Sequence, residues 1–140
     1  MKNKISVVID TNVVVSAVLL PHTLSRQVFD FVVLRGELLV SEGSLAELNE
    51  VLGRPKFRKY VSEKRRLEFF SALVRVAKII TVVDVISECR DEKDNKFLEL
   101  AVSGQATHII TGDNHLLVLN PFRRIEIVSP AVFLNECISG

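Results

Sequence analysis

Four carboxylates sit just beyond four apolar runs: Asp10 after 5–9, Glu47 in the first turn of the segment after 37–40, Asp94 past 79–85, and Asp113 after 109–112. An acid that closes a buried strand loses hydration and repels its neighbours unless something compensates it. Asp10 and Asp113 meet that description. Taken alone, Asp94 is equally well explained as a helix cap, and Glu47 is better explained as an ordinary exposed helical residue. Together at one edge, the four would repel one another, and a divalent cation removes the conflict. All-oxygen ligation, with no Cys-x-x-Cys and no His pair at metal spacing, favours Mg²⁺ or Mn²⁺ over Zn²⁺. Such an ion suits the attack of water on a phosphodiester. Thr11, Asn12 and Thr111 are small polar neighbours that fit two roles equally well, turn formers or aids that orient the carboxylates. His22, His108 and His115 show no ligating spacing, and His115 is expected at the surface.

The elements that must position these acids follow from periodicity. Strands are predicted at 5–9, 37–40, 79–85, 108–111 and 125–128. Helices are predicted at 13–20, 26–35 with Ser25 as cap, 45–52 with Ser44 as cap, 63–78 with Ser62 as cap, 95–103, 114–119 and 130–138. The helix after Ser62 is expected to turn Leu67, Phe70, Leu73, Val74 and Ala77 inward. Strands alternating with helices make a parallel sheet covered on both faces, in which every strand's carboxyl end lies on one edge and ligands bind there. The expected fold class is α/β: one domain over residues 1–140, three layers α/β/α, with a central, mostly parallel five-stranded Rossmann-like sheet. Glu47 is preferred over Glu50 because Glu50 lies a turn farther from that edge.

With 140 residues the chain is long enough for a substantial core, and 48% of it is apolar, which points to self-association through some of its surface. No apolar run approaches the roughly eighteen residues a membrane span needs, so a cytoplasmic protein without a membrane partner is expected. Cys89 and Cys137 lie far apart, which supports neither a disulfide framework nor a zinc site. The net charge of +1 excludes little, but its distribution is informative: residues 54–66 carry seven Lys or Arg against the single acid Glu63. Arg54, Lys56, Arg58 and Lys59, with Phe57 and Tyr60 interleaved, would track a nucleic-acid backbone and stack bases. The competing reading of the stretch is a solvated helix entry.

Val8-Ile9-Asp10-Thr11-Asn12-Val13, Ser44-Leu45-Ala46-Glu47-Leu48, Arg90-Asp91-Glu92-Lys93-Asp94-Asn95-Lys96-Phe97-Leu98-Glu99-Leu100-Ala101, Ile110-Thr111-Gly112-Asp113 and the ending Ile127-Val128-Ser129-Pro130 together resemble the PIN domain. The resemblance is to the VapC-like toxins of bacterial and archaeal toxin–antitoxin systems. It implies a metal-dependent ribonuclease with Asp10, Glu47, Asp94 and Asp113 as catalytic and metal-holding residues. It further implies Mg²⁺ or Mn²⁺ as cofactor, RNA as substrate, a small antitoxin as inhibitor, and a homodimer. Many such proteins carry further acids where this chain has Asn95 and Asn114-His115, so one ion is expected and a second left open, with Asp91 as a spare ligand. Two alternatives stand beside this reading. A haloacid-dehalogenase-like phosphatase also opens with a strand ending in Asp, but it needs an acid where this chain has Asn12. A PIN-like module could also bind RNA or protein without cutting.

Overall fold

The computed structural model describes residues 4–139. Its centre is a five-stranded sheet of β1 (Ser6–Ile9), β2 (Glu37–Val40), β3 (Lys78–Ile79), β4 (His108–Ile110) and β5 (Glu126–Val128), ordered β3-β2-β1-β4-β5. Every pairing is parallel. The helices are α1 (Thr11–Leu19), α2 (Leu24–Arg35), α3 (Glu42–Leu52), α4 (Glu63–Val76), α5 (Asn95–Ser103), α6 (Asn114–Leu117) and α7 (Pro130–Ser139).

Alternation along the strands divides the interior into two cores. Val7, Ile9, Leu38, Val40, Ile110 and Val128 face α1, α2, α3, α4 and α7, where Val28, Val32, Leu48, Leu73 and Phe133 complete the packing. Val8, Leu39, Ile109 and Ile127 face the other way, onto Phe97, Leu98, Leu100, Ala101 and Leu116 of α5 and α6. These are the two outer layers of the three-layer α/β fold that the alternation predicts.

Several local expectations need correction. The third strand is two residues long rather than seven, because the backbone beyond Ile79 turns to α5. The Val83 and Asp84 amides donate to Ser103 Oγ at 3.1 and 3.3 Å, and the Ile86 amide donates to Glu99 Oε2 at 3.0 Å. Helix α2 starts earlier than expected, capped by Thr23 instead of Ser25. Ser41 caps α3, with Ser44 closing a reciprocal capping box. On α4, Leu67 and Val74 are exposed; Phe69, Phe70, Leu73 and Ala77 form the packed stripe instead. Ser62 does cap α4, accepting from the Arg65 amide.

Candidate active site

Strand register brings the first and last acids together. Ile9 pairs with Ile110, so the chain leaves β1 and β4 side by side, and the Asp10 amide donates to the Ile110 carbonyl at 2.9 Å. Asp10 is the N-cap of α1, with Oδ1 accepting from the Asn12 amide at 3.3 Å. Its Oδ2 accepts from the Thr111 hydroxyl at 2.6 Å, and that hydroxyl in turn accepts from the Asp113 amide at 3.0 Å. Thr111 is wholly buried and therefore links both acidic turns through one oxygen. Asp113 caps α6, its Oδ1 accepting from the His115 amide at 2.8 Å. Asp10, Asn12, Ser16, Ser25, Gly112 and Asp113 line one open cleft.

Asp94 arrives from a different direction. It ends a short 3₁₀ turn, Glu92–Asp94, and although it precedes α5 its side chain makes no capping hydrogen bond. Capping therefore does not account for it. Its Oδ2 is buried with no hydrogen-bond partner among the described residues. The loop before it is fastened by buried Asn95, whose Oδ1 accepts from the Cys89 amide at 2.8 Å.

The charges of these three acids act on one another, although among the described residues the ligand atoms that gather here within 4.8 Å are those of Asp91, Asp113 and His115, and Asp94 and Glu47 stand outside the cleft that Asp10 and Asp113 line. Burial first, then the hydrogen bond shared with Asp113 and the charges of Asp10, Asp113 and Asp91, push the Asp94 carboxyl up to about 7. Burial also raises Asp10, opposed by its bonds from Thr111 and Asn12 and reinforced by the charges of Asp113 and Glu47. Asp113 is held below its ordinary value, chiefly by the His115 amide. The Asp94 orphan oxygen is the observation that tests the fit of a cation: a buried carboxylate oxygen without a donor is costly unless a proton or metal meets it. The donor set is carboxylate oxygen throughout, which suits a hard divalent ion.

Glu47 differs from the other three. Its Oε2 accepts from the Thr11 hydroxyl and its Oε1 is paired with the Lys96 ammonium. Burial pushes Glu47 up, but the bonds from Lys96 and Thr11 and the charges of Lys96 and Lys93 outweigh it and leave the carboxyl lowered. Sequence reasoning assigned Lys96 no role. The available signal was its place two residues past Asp94, a lone cation at the start of a helix whose next residues, Phe97 and Leu98, are fully buried.

Of the supporting candidates, Thr11 and Thr111 are buried and bonded to acids, whereas Asn12 is exposed and offers Asp10 its backbone amide. Asp91 is half-buried, and one ligand atom each from Asp91, Asp113 and His115 lies within 4.8 Å of the others. His115, although exposed as expected, thus stands beside the acids.

The basic stretch is arranged differently. Arg54 pairs with Glu50 at 3.0 Å, Lys56 lies over the Phe57 ring at 5.1 Å, and Lys59 lies over the Tyr60 ring at 5.2 Å. Arg58 is exposed. Phe57 packs against the core and is not free to stack a base, while Tyr60 remains exposed.

Comparison with known proteins agrees with this architecture. Residues 6–115 match the PIN domain family model, and the chain belongs to that family, whose members are generally nucleases that use divalent metals. A relative, the uncharacterized protein MJ1680 of Methanocaldococcus jannaschii, is 36% identical over 147 aligned positions, covering 96% of this chain and 93% of its own. Two solved structures share the fold at 12% identity. PAE2754 from Pyrobaculum aerophilum matches with a TM-score of 0.60 over 98% of this chain and 91% of its own. VapBC2 from Rickettsia felis, bound to a DNA fragment from its promoter, matches with a TM-score of 0.57 over 89% of this chain and 98% of the matched chain. Among the described residues, no single helix is long and apolar enough to cross a membrane.

Proposed function

We propose that this chain is a divalent-metal-dependent endoribonuclease acting as the toxin of a toxin–antitoxin pair. The observation that carries the proposal is the buried, unpartnered Asp94 Oδ2 in electrostatic contact with Asp10 and Asp113. Asp10, Asp94 and Asp113 hold the ion, with Glu47 as the fourth acid beside them and Asp91 as a spare oxygen donor. A bound Mg²⁺ or Mn²⁺ supplies activation of water and neutralisation of charge on the phosphate oxygens. Thr111 aims the Asp10 carboxylate, and the His115 amide holds that of Asp113. The open cleft admits an RNA strand, and Arg54, Lys56, Arg58 and Lys59 attract its phosphates.

In this reading residues 1–140 form one catalytic domain, working in the cytoplasm as a homodimer under the control of a small antitoxin. Support for the antitoxin comes from the likeness in fold to VapBC2 and from the expectations carried by the sequence motifs. The phosphatase alternative has no support at Asn12, which puts no acid into the cleft.

The test is cleavage of single-stranded RNA with Mn²⁺, with EDTA, and in Asp10→Asn. Activity should vanish in both of the latter. Cleavage that survives the substitution would overturn the assignment of the site, and hydrolysis of small phosphoesters without RNA cleavage would overturn the reaction.

A further inference from the structure

Lys96 reaches from the first turn of α5, two residues beyond Asp94, to Glu47 on α3, so its ammonium is delivered to the acidic site by the same element that brings Asp94. The pair joins residues 49 apart in sequence, and only 31% of the Lys96 and 25% of the Glu47 side-chain surface is exposed. It is therefore a tertiary, half-buried contact and not a loose surface bridge. Glu47 also accepts from the hydroxyl of Thr11, the residue next to Asp10, so the charge that Lys96 neutralises lies beside the other acids.

The partners of the acids fall into two kinds. Asp10 and Asp113 accept from hydroxyl and amide groups, which orient a carboxylate without neutralising it. Asp94 keeps one oxygen with no partner among the described residues. Glu47 is paired with the Lys96 ammonium and its second oxygen is occupied by Thr11, whereas the basic side chain nearest Asp113 among the described residues is the His115 ring at 3.8 Å. A cation entering this site thus finds one corner supplied with positive charge and another lacking it. We infer that the Lys96 ammonium serves as the second cation of the acidic site, so that the site binds a single divalent ion between Asp10, Asp94 and Asp113, and Glu47 is the partner of Lys96 rather than a ligand.

This inference rests on the metal-dependent reading above and sharpens it. With Asp91 and its partner Lys93 counted beside the four acids and Lys96, five carboxylates set against two ammoniums and one divalent ion leave a single negative charge. Two divalent ions beside an intact Lys96 would leave the pocket positive, with Glu47 torn from its partner. Lys96 acts as a positioning residue in this arrangement, since it holds an acid and touches no reacting atom.

Calorimetric titration of the whole metal-free chain with Mn²⁺, followed by electron paramagnetic resonance, decides the matter without any activity measurement. Wild type should take up one ion with the six-line signal of isolated Mn²⁺. Lys96→Gln should take up two ions and show the broadened, exchange-coupled signal of a close pair, while Lys96→Arg should remain at one. Glu47→Gln should keep one ion with affinity changed less than tenfold. Two ions in wild type, a single ion in a folded Lys96→Gln, or loss of ion binding in Glu47→Gln would each overturn the inference. If none of the chains bound Mn²⁺, the metal-dependent reading itself would fail and take this inference with it.

Discussion

Two regions of this molecule concentrate charge of one sign, and they treat it in opposite ways. At the carboxyl edge of β1 and β4, Asp10 and Asp94 are buried and Asp113 and Glu47 half-buried, contacts between distant parts of the chain hold them, and burial with neighbouring acids raises Asp10 and Asp94. Across residues 54–66 the bases are mostly exposed, and Arg54, Lys56 and Lys59 are served by neighbours within four residues along the chain. The acids therefore carry stored electrostatic tension and the bases do not. Burial against repulsion is what an incoming cation relieves, so the first region is suited to binding an ion, while the second can offer only a diffuse field.

The contrast is broken most severely at Asp94. Asp94→Asn should abolish Mn²⁺-dependent RNA cleavage, a loss on the order of a hundredfold or more, while making the metal-free protein more stable at neutral pH. The sign follows from protonation. Between pH 3.8 and about 7 the folded chain keeps a proton on Asp94 that the unfolded chain has released, so metal-free stability falls as pH rises through that window and levels off above it. Asp10 shifts in the same direction, whereas Glu47 and Asp113 are lowered and contribute stability that is lost on acidification. Subtracting the Asp94→Asn profile from that of wild type isolates the first contribution. Urea midpoints measured from pH 4 to 8 should show the variant's advantage growing with pH and disappearing when Mn²⁺ is added to both; a constant gap would break the contrast.

A smaller effect is expected at Thr111, whose hydroxyl serves both Asp10 and Asp113. Thr111→Val keeps the shape but removes both bonds, at a cost of about 1–3 kcal/mol and a fall of roughly 10–100-fold in Mn²⁺ affinity. Denaturant unfolding and metal titration check the two halves separately. The smallest effect is expected in the basic stretch. Neutralising Lys56, Arg58 and Lys59 should change stability by less than about 0.5 kcal/mol, yet flatten the dependence of RNA affinity on salt. An unchanged salt slope would remove RNA binding from this stretch and sharpen the comparison to one functional region.

The same contrast explains what could be read from the sequence. Asp10 and Asp113 were legible because an apolar strand that stops at a carboxylate is a local pattern, and parallel strands send their ends to one edge whatever their order. The alternation that divides the two cores was legible for the same reason, as were four of the strands, while the third, expected over 79–85, forms only at Lys78–Ile79. Lys96 was not, because its meaning depends on Glu47, far away in sequence on another helix. Asp94 was half legible: its place before a helix was clear, but the absence of a capping bond could only be seen in three dimensions. The outward turn of Leu67 and Val74 shows how a regular helical stripe can be satisfied by Phe69 instead of Leu67 when the helix rotates over its contact.

The abbreviated β3 has a consequence for how the chain behaves among its own copies. A valine-rich run at the rim of a sheet is a ready template on which other strands can grow, and Val82, Val83 and Val85 are all exposed there. Yet the amides of Val83, Asp84 and Ile86 are already committed to the side chains of Ser103 and Glu99. The rim shows valines to its surroundings while three of its backbone donors are already engaged. In this way α5, the helix that follows Asp94, also takes up part of what the rim would offer to an added strand.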